Sequence, residues 1–369
     1  MLGAQTSFEE FQKKQTSEFE NYKNKEAKEL ANYFNRQDSL FIQYKEQIEQ
    51  EWNEYVESTN KEWVSYSQDF RGRSNVNFET GKIQVDAVMP AEDEKAEEKA
   101  VEMVKEQLKS IVKEIDETKK PILQDQVQNP VDKKEIITPK NIEKIAEKIV
   151  KNAKKTTITG SDNKKRVKYS VSLEMVPDHV KKRAEQYRPF IEEKCKRFQV
   201  SPAVALAIIH TESYFNPKAY NRHGNAHGLM QIVPKYAGLT MNNVLYKKKS
   251  EPTSDDLFNP QINLEMGIGY IRWLADNKWK EVTNPTNQYY CIICSYNGGV
   301  GSVYKAMMGK MKGIKQAEMD KMRHELSTMS NDKLYNKLHK DIPWEETRKY
   351  IKLVKEKMDT VYAQVESKK

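Results

Sequence analysis

Glu212 has the type and position to do acid–base chemistry. It stands in the last turn of a segment that starts at Ser201 and reads as a helix. Ser201 is a good N-cap, and Pro202 suits the first helical position, where its missing N–H leaves nothing unsatisfied. Ala203 to Ile209 are apolar on every side, so the helix is expected to be buried all round. Asn216-Pro217 marks its end. Apolar surroundings disfavour a carboxylate, and the negative end of the helix dipole acts in the same direction. A carboxyl placed there holds its proton towards neutral pH and can give it to a leaving group. The same side chain could instead simply reach solvent at the helix end.

Two further motifs stand downstream: Gly228-Leu229-Met230-Gln231-Ile232 after a polar loop, and Ser295-Tyr296-Asn297-Gly298-Gly299. The order Glu-Ser, Gly-Leu-Met-Gln, Tyr-Asn-Gly-Gly resembles the soluble lytic transglycosylase family, whose catalytic domain has a lysozyme-like fold. Tyr66 to Met89 and Glu346 to Val354 resemble the membrane-bound lytic murein transglycosylase C branch, and the likeness runs from about Phe8 onward. The resemblance implies an enzyme that cleaves the β-1,4 bond between N-acetylmuramic acid and N-acetylglucosamine in peptidoglycan, leaving a 1,6-anhydromuramoyl end. It also implies export, a lipid anchor on the precursor, and a periplasmic, outer-membrane-associated protein. No signal peptide is visible at Met1 to Gln5, so the chain is expected to be a mature portion without its leader.

Ordinary glycoside hydrolysis needs two carboxylates. No Asp or Glu accompanies either downstream motif; Asp255, Asp256 and Glu265 lack motif support, and Glu346 is a weaker candidate. A single acid suits the non-hydrolytic route implied by the resemblance: Glu212 protonates the linking oxygen, then removes the muramoyl 6-hydroxyl proton. Nucleophile and leaving group then belong to one substrate. The alternatives are a lysozyme-type hydrolase and a non-catalytic wall-binding scaffold.

Residue chemistry suggests the remaining roles. The Tyr296 hydroxyl can address Glu212 or the substrate acetamido group, and Asn297 can donate to and accept from sugar groups. Ser213 contacts substrate or caps the helix. Met230 can pack on a sugar face, Gln231 can bind an N-acetyl group or brace its loop, and Gly228 keeps that turn open to the saccharide. The resemblance implies a cleft tyrosine at Tyr350. It also places a serine before the Gly-Leu-Met-Gln motif, where this chain has Tyr220-Asn221-Arg222-His223 instead.

No cofactor or metal is called for. His210, His223 and His227 read as ordinary surface histidines, and Cys291-Ile-Ile-Cys294 reads as buried helix packing. The three cysteines form no disulfide framework. The net charge of +8 suits an anionic partner such as cell-wall polymer. Zinc-finger spacing and RNA-binding signatures are absent, which disfavours nucleic acid. No apolar run is long enough to span a bilayer.

The elements that must position these residues read as an α+β chain of 369 residues. Residues 1–175 form an accessory domain of helices with a small antiparallel sheet, and residues 176–369 a mainly α, lysozyme-like catalytic domain. Aromatics three or four apart over 7–65 predict two or three amphipathic helices. Hairpins are expected over Asn75 to Met89 and Thr156 to Leu173, pairing into one sheet with helices on one face. Those helices run from Ala91 to about Ile115 and from Asn141 to about Lys154. Separate helices follow over 178–187 and 189–198. Gly267 and Gly269 lie in a helix and are expected to admit close approach of another helix or of substrate. The resemblance makes that segment the family's third motif, lining the cleft.

Overall fold

The structure is a computed structural model that describes Lys25 and residues 39–366. The aromatic periodicity before residue 39 lies outside the described residues.

A helix, α1 (39–52), leads into five antiparallel strands built from two hairpins and a returning strand. The strands are β1 (Glu62–Tyr66), β2 (Gly72–Asn77), β3 (Lys82–Pro90), β6 (Lys154–Thr159) and β7 (Lys165–Glu174), in the order β1-β2-β3-β7-β6. The two expected hairpins do join: β3 pairs with β7 from Lys82↔Glu174 to Pro90↔Arg166. Between them come α2 (Ala96–Lys113), the short pair β4 (Val127–Gln128) and β5 (Ile136–Ile137), and α3 (Ile142–Val150). Residues 62–65, at the end of the stretch expected to form amphipathic helices, instead belong to the edge strand β1, paired along its length with β2.

Central strand β3 explains why one covered face was too few. Ile83, Val85, Ala87 and Met89 point to one side and pack with Val104, Leu108 and Ile111 of α2 and Ile145 and Ile149 of α3. Val88 points to the other side, as the two-residue period of a strand requires. There it meets Ile48 and Trp52 of α1. The sheet therefore carries helices on both faces.

The second half is helical: α4 (His179–Phe198), α5 (Pro202–Ser213), α6 (Leu239–Tyr246), α7 (Ser254–Phe258), α8 (Pro260–Asn277), α9 (Pro285–Gly298), α10 (Val300–Met308), α11 (Gln316–Thr328), α12 (Asn331–Asp341), α13 (Glu345–Asp359) and α14 (Ala363–Glu366). A two-residue hairpin, β8 (Tyr220–Asn221) with β9 (Ala226–His227), and a π turn at Pro234–Gly238 connect α5 to α6. The α4 segment is one helix, where two were expected. Its Pro189 is exposed, as is Glu185, the residue whose carbonyl loses its backbone donor.

Helix α5 is the hub. Ala203 to Ile209 are all buried, and α4 and α13 pack against it. A single apolar core gathers α4, α5, α8, α9 and α13, with Trp279 fully enclosed.

Candidate active site

Sequence-local signals build the acid's helix. The Ser201 side chain accepts from the Val204 N–H, with Pro202 at the first position. At the other end Tyr214 and Phe215 both take left-handed backbone conformations, with φ of 52° and 60°. Two such residues in succession, neither glycine, are uncommon. They turn the chain sharply just after Glu212-Ser213.

Glu212 keeps some exposed surface, but its carboxyl is set deep among protein atoms. Burial pushes its pKa up from the ordinary 4.5 to about 8; the Tyr350 hydroxyl opposes the shift, and the Glu346 charge adds to it. The group is therefore mainly protonated at neutral pH, as a general acid requires. Tyr350, from α13, is buried and faces this carboxyl, though its hydroxyl reaches no well-formed hydrogen bond. Tyr296, from α9, also feels the Glu212 charge, and burial raises its own pKa. Its hydroxyl donates not to Glu212 but to the main-chain oxygen of Met230, at 2.8 Å.

The Gly-Leu-Met-Gln loop is held from below. The Ser213 hydroxyl is buried and donates to Leu229 O at 2.7 Å, so it ties the acid's helix to the loop and is not offered to a ligand. Met230 has no exposed surface; its side chain packs over Gly267, where an added Cβ would lie 2.2 Å from the Met230 sulfur. The sugar-facing place anticipated for Met230 is thus taken by helix α8, and Gly267 admits the loop. Gly228 has φ +70°, and its missing side chain faces Asn263 and Leu257 O, both 2.4 Å from a built Cβ. It is closed against α8, not opened to a saccharide. Gln231 braces the loop, its amide donating to Gly228 O at 3.1 Å and Ala219 O at 3.3 Å.

Sequence reasoning missed the organiser of this loop. Asn263 is fully buried; its amide donates to His227 O and Leu257 O, and its oxygen accepts from Met230 N, each at 2.8 Å. The available signal was a polar residue on the apolar side of a helix, which must find partners if buried.

The Tyr-Asn-Gly-Gly turn meets α13. Asn297 Oδ1 accepts from the Thr347 hydroxyl at 2.7 Å, and its amide points to Glu346 at 3.4 Å. Gly298 lets α13 approach, since an added Cβ would lie 2.5 Å from Thr347 Oγ1. Beside Tyr296 opens a cavity of about 360 Å³ lined by Gln231, Tyr236, Tyr270, Tyr296, Asn297 and Gly299. Larger cavities of about 420, 450 and 810 Å³ lie along α4; Glu212 lines none of them and does not line the one beside Tyr296, whose wall is reached through Tyr296 itself.

The other acids have separate places. Asp256 caps α7, and Glu265 pairs with Arg197 and Tyr246. Glu346 is exposed, and among the described residues its carboxylate is the one that acts on Glu212. Two histidines depart from the surface expectation. His227 is buried between Tyr220 and Phe258, with Nε2 3.2 Å from the Ser254 hydroxyl. His210 is half-buried; Nδ1 lies 3.1 Å from the Tyr362 hydroxyl, and burial first, then Lys357 and Arg183, push its pKa down to about 3. Cys291 and Cys294 are buried and free, as read from the sequence. Among the described residues no three His, Cys, Asp or Glu side chains gather as a metal site.

Residues 22–186 match the family model for the N-terminal domain of membrane-bound lytic murein transglycosylase C, and residues 189–318 match the transglycosylase SLT domain. The membrane-bound lytic murein transglycosylases C of Cronobacter sakazakii and Salmonella typhimurium are each 30% identical over 294 residues, 78% of this chain and 78% of theirs. That of Photorhabdus laumondii is 29% identical over the same extent. Among solved structures, the 70 kDa soluble lytic transglycosylase of Escherichia coli is 21% identical, with a TM-score of 0.34, over 49% of this chain and 25% of that one. An inactive mutant of lytic transglycosylase Slt from Pseudomonas aeruginosa is 20% identical, with a TM-score of 0.35, over 49% and 24%. This chain thus spans about a quarter of those solved chains, and the assignment rests on the sequence relatives. On identity over most of both chains and on two family models that divide the sequence between them, the chain belongs to the lytic murein transglycosylase family, in its membrane-bound transglycosylase C branch.

Proposed function

We propose that this enzyme cleaves peptidoglycan between N-acetylmuramic acid and N-acetylglucosamine without consuming water. The observation that carries the reading is the buried Glu212 carboxyl at the end of α5, close enough to Tyr350 and Tyr296 to act on both, with burial pushing its pKa up to about 8. Glu212 gives its proton to the glycosidic oxygen as the bond to muramoyl C1 breaks. The resulting carboxylate is met by the Tyr350 hydroxyl, which favours the charged form. It then takes the proton of the muramoyl 6-hydroxyl while that oxygen bonds to C1. The acid is regenerated, and the product is a 1,6-anhydro end. In the ground state Tyr296 fixes the loop through Met230 O, and Asn297, Gln231, Tyr236 and Tyr270 offer polar and aromatic surface to the glycan. Ser213, Gly228 and Met230 act as supports of that surface.

The two apolar cores are proposed as two domains dividing near residues 175 and 176. The net charge of +8 suits the anionic wall polymer. The relatives are named membrane-bound, which supports a periplasmic, outer-membrane-associated place with a lipid anchor on the full-length precursor. No described helix is long and apolar enough to cross a membrane.

Exposed Glu346 favours a second reading, hydrolysis with Glu346 activating a water. Mass spectrometry of digested murein separates the two, because an anhydro end is lighter than a hydrolysed end by one water. Wild type is expected to release anhydromuropeptides and Glu212→Gln none. Reducing-end products from wild type, abolished in Glu346→Gln, would establish the hydrolase instead.

A further inference from the structure

The strained turn behind the acid is not secured by the catalytic half alone. The last carbonyls of a helix lack intrahelical donors. Here a residue from the sheet-bearing half supplies one: Asn60 Nδ2 donates to the main-chain oxygen of Glu212 at 2.8 Å. The contact is reciprocated by Asn216 Nδ2 on Asn60 O at 3.5 Å, and Tyr220 N donates to Thr59 O at 3.3 Å. The turn's next residue is gripped as well. The Tyr214 hydroxyl donates to Glu79 Oε1 at 2.6 Å, and Glu79 Oε2 takes the Lys61 ammonium at 2.8 Å. Below them Arg183, fully buried, donates to Tyr214 O at 3.1 Å and to Phe78 O at 2.6 Å. It thus bridges the catalytic turn to the β2–β3 hairpin.

We propose that Asn60 is a positioning residue for the reaction: through the Glu212 carbonyl it fixes the orientation of the acid, so that the N-terminal half completes the active site. This rests on Glu212 being the acid. Two and three residues after Glu212, Tyr214 and Phe215 are both left-handed; each non-glycine residue in that region is disfavoured by roughly 1–2 kcal/mol, so the turn leans on the contacts that hold it. Asn60, Arg183 and the Tyr214–Glu79 pair hold this turn at three points. A carboxyl that must deliver a proton and then recover another depends on such placement, and misplacement by about 1 Å is enough to lower turnover roughly 100-fold.

The test compares full-length wild type, Asn60→Ala, Asn60→Asp and Glu212→Gln on purified murein, with kcat, KM and melting temperature measured against pH. Asn60→Asp keeps the shape but, ionised, has no donor for the carbonyl; protonated, it regains an O–H. At neutral pH both Asn60 variants are expected to lose about tenfold or more in kcat, with KM and melting temperature near wild type. The ratio of Asn60→Asp to wild-type kcat should climb as pH falls through the ordinary Asp range near about 4, whereas that for Asn60→Ala stays low. Wild-type kcat in both Asn60 variants, beside an inert Glu212→Gln, overturns the proposal and leaves the acid assignment standing. A kcat loss matched by a fall in melting temperature, with no recovery of Asn60→Asp at low pH, also overturns it. Activity in Glu212→Gln overturns the acid assignment and the proposal with it.

Discussion

At the scale of the residue, the site is defined by one carboxyl held in its unfavourable surroundings. Glu212 binds its proton more tightly in the folded protein than in the unfolded chain, with a pKa of about 8 against 4.5. Below pH 4.5 both states are protonated and the group has no net influence. Between 4.5 and about 8 the folded state binds more protons, so the stability linked to this group is lost as pH rises through that window. Glu212→Gln removes the penalty while keeping the shape. It is expected to melt higher than wild type above pH 6, with a gap that widens towards pH 8 and closes near pH 4. Calorimetry across that range measures it; a gap independent of pH would mean that the carboxyl is not perturbed. The sequence made this acid legible because two things that disfavour its charge are local, the seven apolar residues of its own helix and the helix C-terminus; the Glu346 charge acts from far along the chain. Tyr350 is far away in sequence, so no spacing rule could aim it at Glu212, and family resemblance alone pointed there.

At the scale of the element, the site depends on glycines that let backbone meet side chain. Gly267 in α8 receives Met230, and Gly298 in α9 receives Thr347 of α13. In an exposed helix, glycine to alanine is worth about 1 kcal/mol in favour of alanine. At Gly267 the sign reverses, because the new Cβ would lie 2.2 Å from the Met230 sulfur and 2.8 Å from its Cβ. Gly267→Ala is expected to destabilise by about 1–3 kcal/mol and to reduce turnover by shifting the loop that carries Gln231. Denaturant melts and murein digestion check both, and a stabilised, fully active variant would refute the packing argument. The sequence suggested that Gly267 admits another part of the molecule, but not which part. It misassigned Gly228 and Met230 to the sugar because a motif says which residues gather and not which of them face inward. Hairpins and amphipathic helices were readable from period alone. The covering of the sheet's second face was not, since a central strand buried on both sides shows little alternation.

At the scale of the whole molecule, the two cores meet at a buried cation. Among the described residues Arg183 has no carboxylate partner; it is satisfied by Phe78 O, Tyr214 O, Gln126 Oε1 and the His179 ring. Burial pushes its pKa down to about 9, which leaves it charged at neutral pH. The sequence around Arg183 offers only the His179 ring, one turn away; Tyr214 O, Gln126 and Phe78 O lie 31, 57 and 105 residues away along the chain. The sealed interior also governs the chain's thiols. Cys291 and Cys294 are wholly enclosed in α9, while Cys195, hardly more exposed, lines the cavity of about 810 Å³ behind α4. Burial raises the pKa of all three, that of Cys195 to about 12, so little thiolate exists to react. The folded enzyme thus carries its own unfolding clock: a thiol reagent should mark Cys195 first, through local opening, and the α9 pair only when the catalytic core comes apart. Mass spectrometry of labelled peptides would time the two phases, and equal rates at all three sites would show that the core opens as one piece.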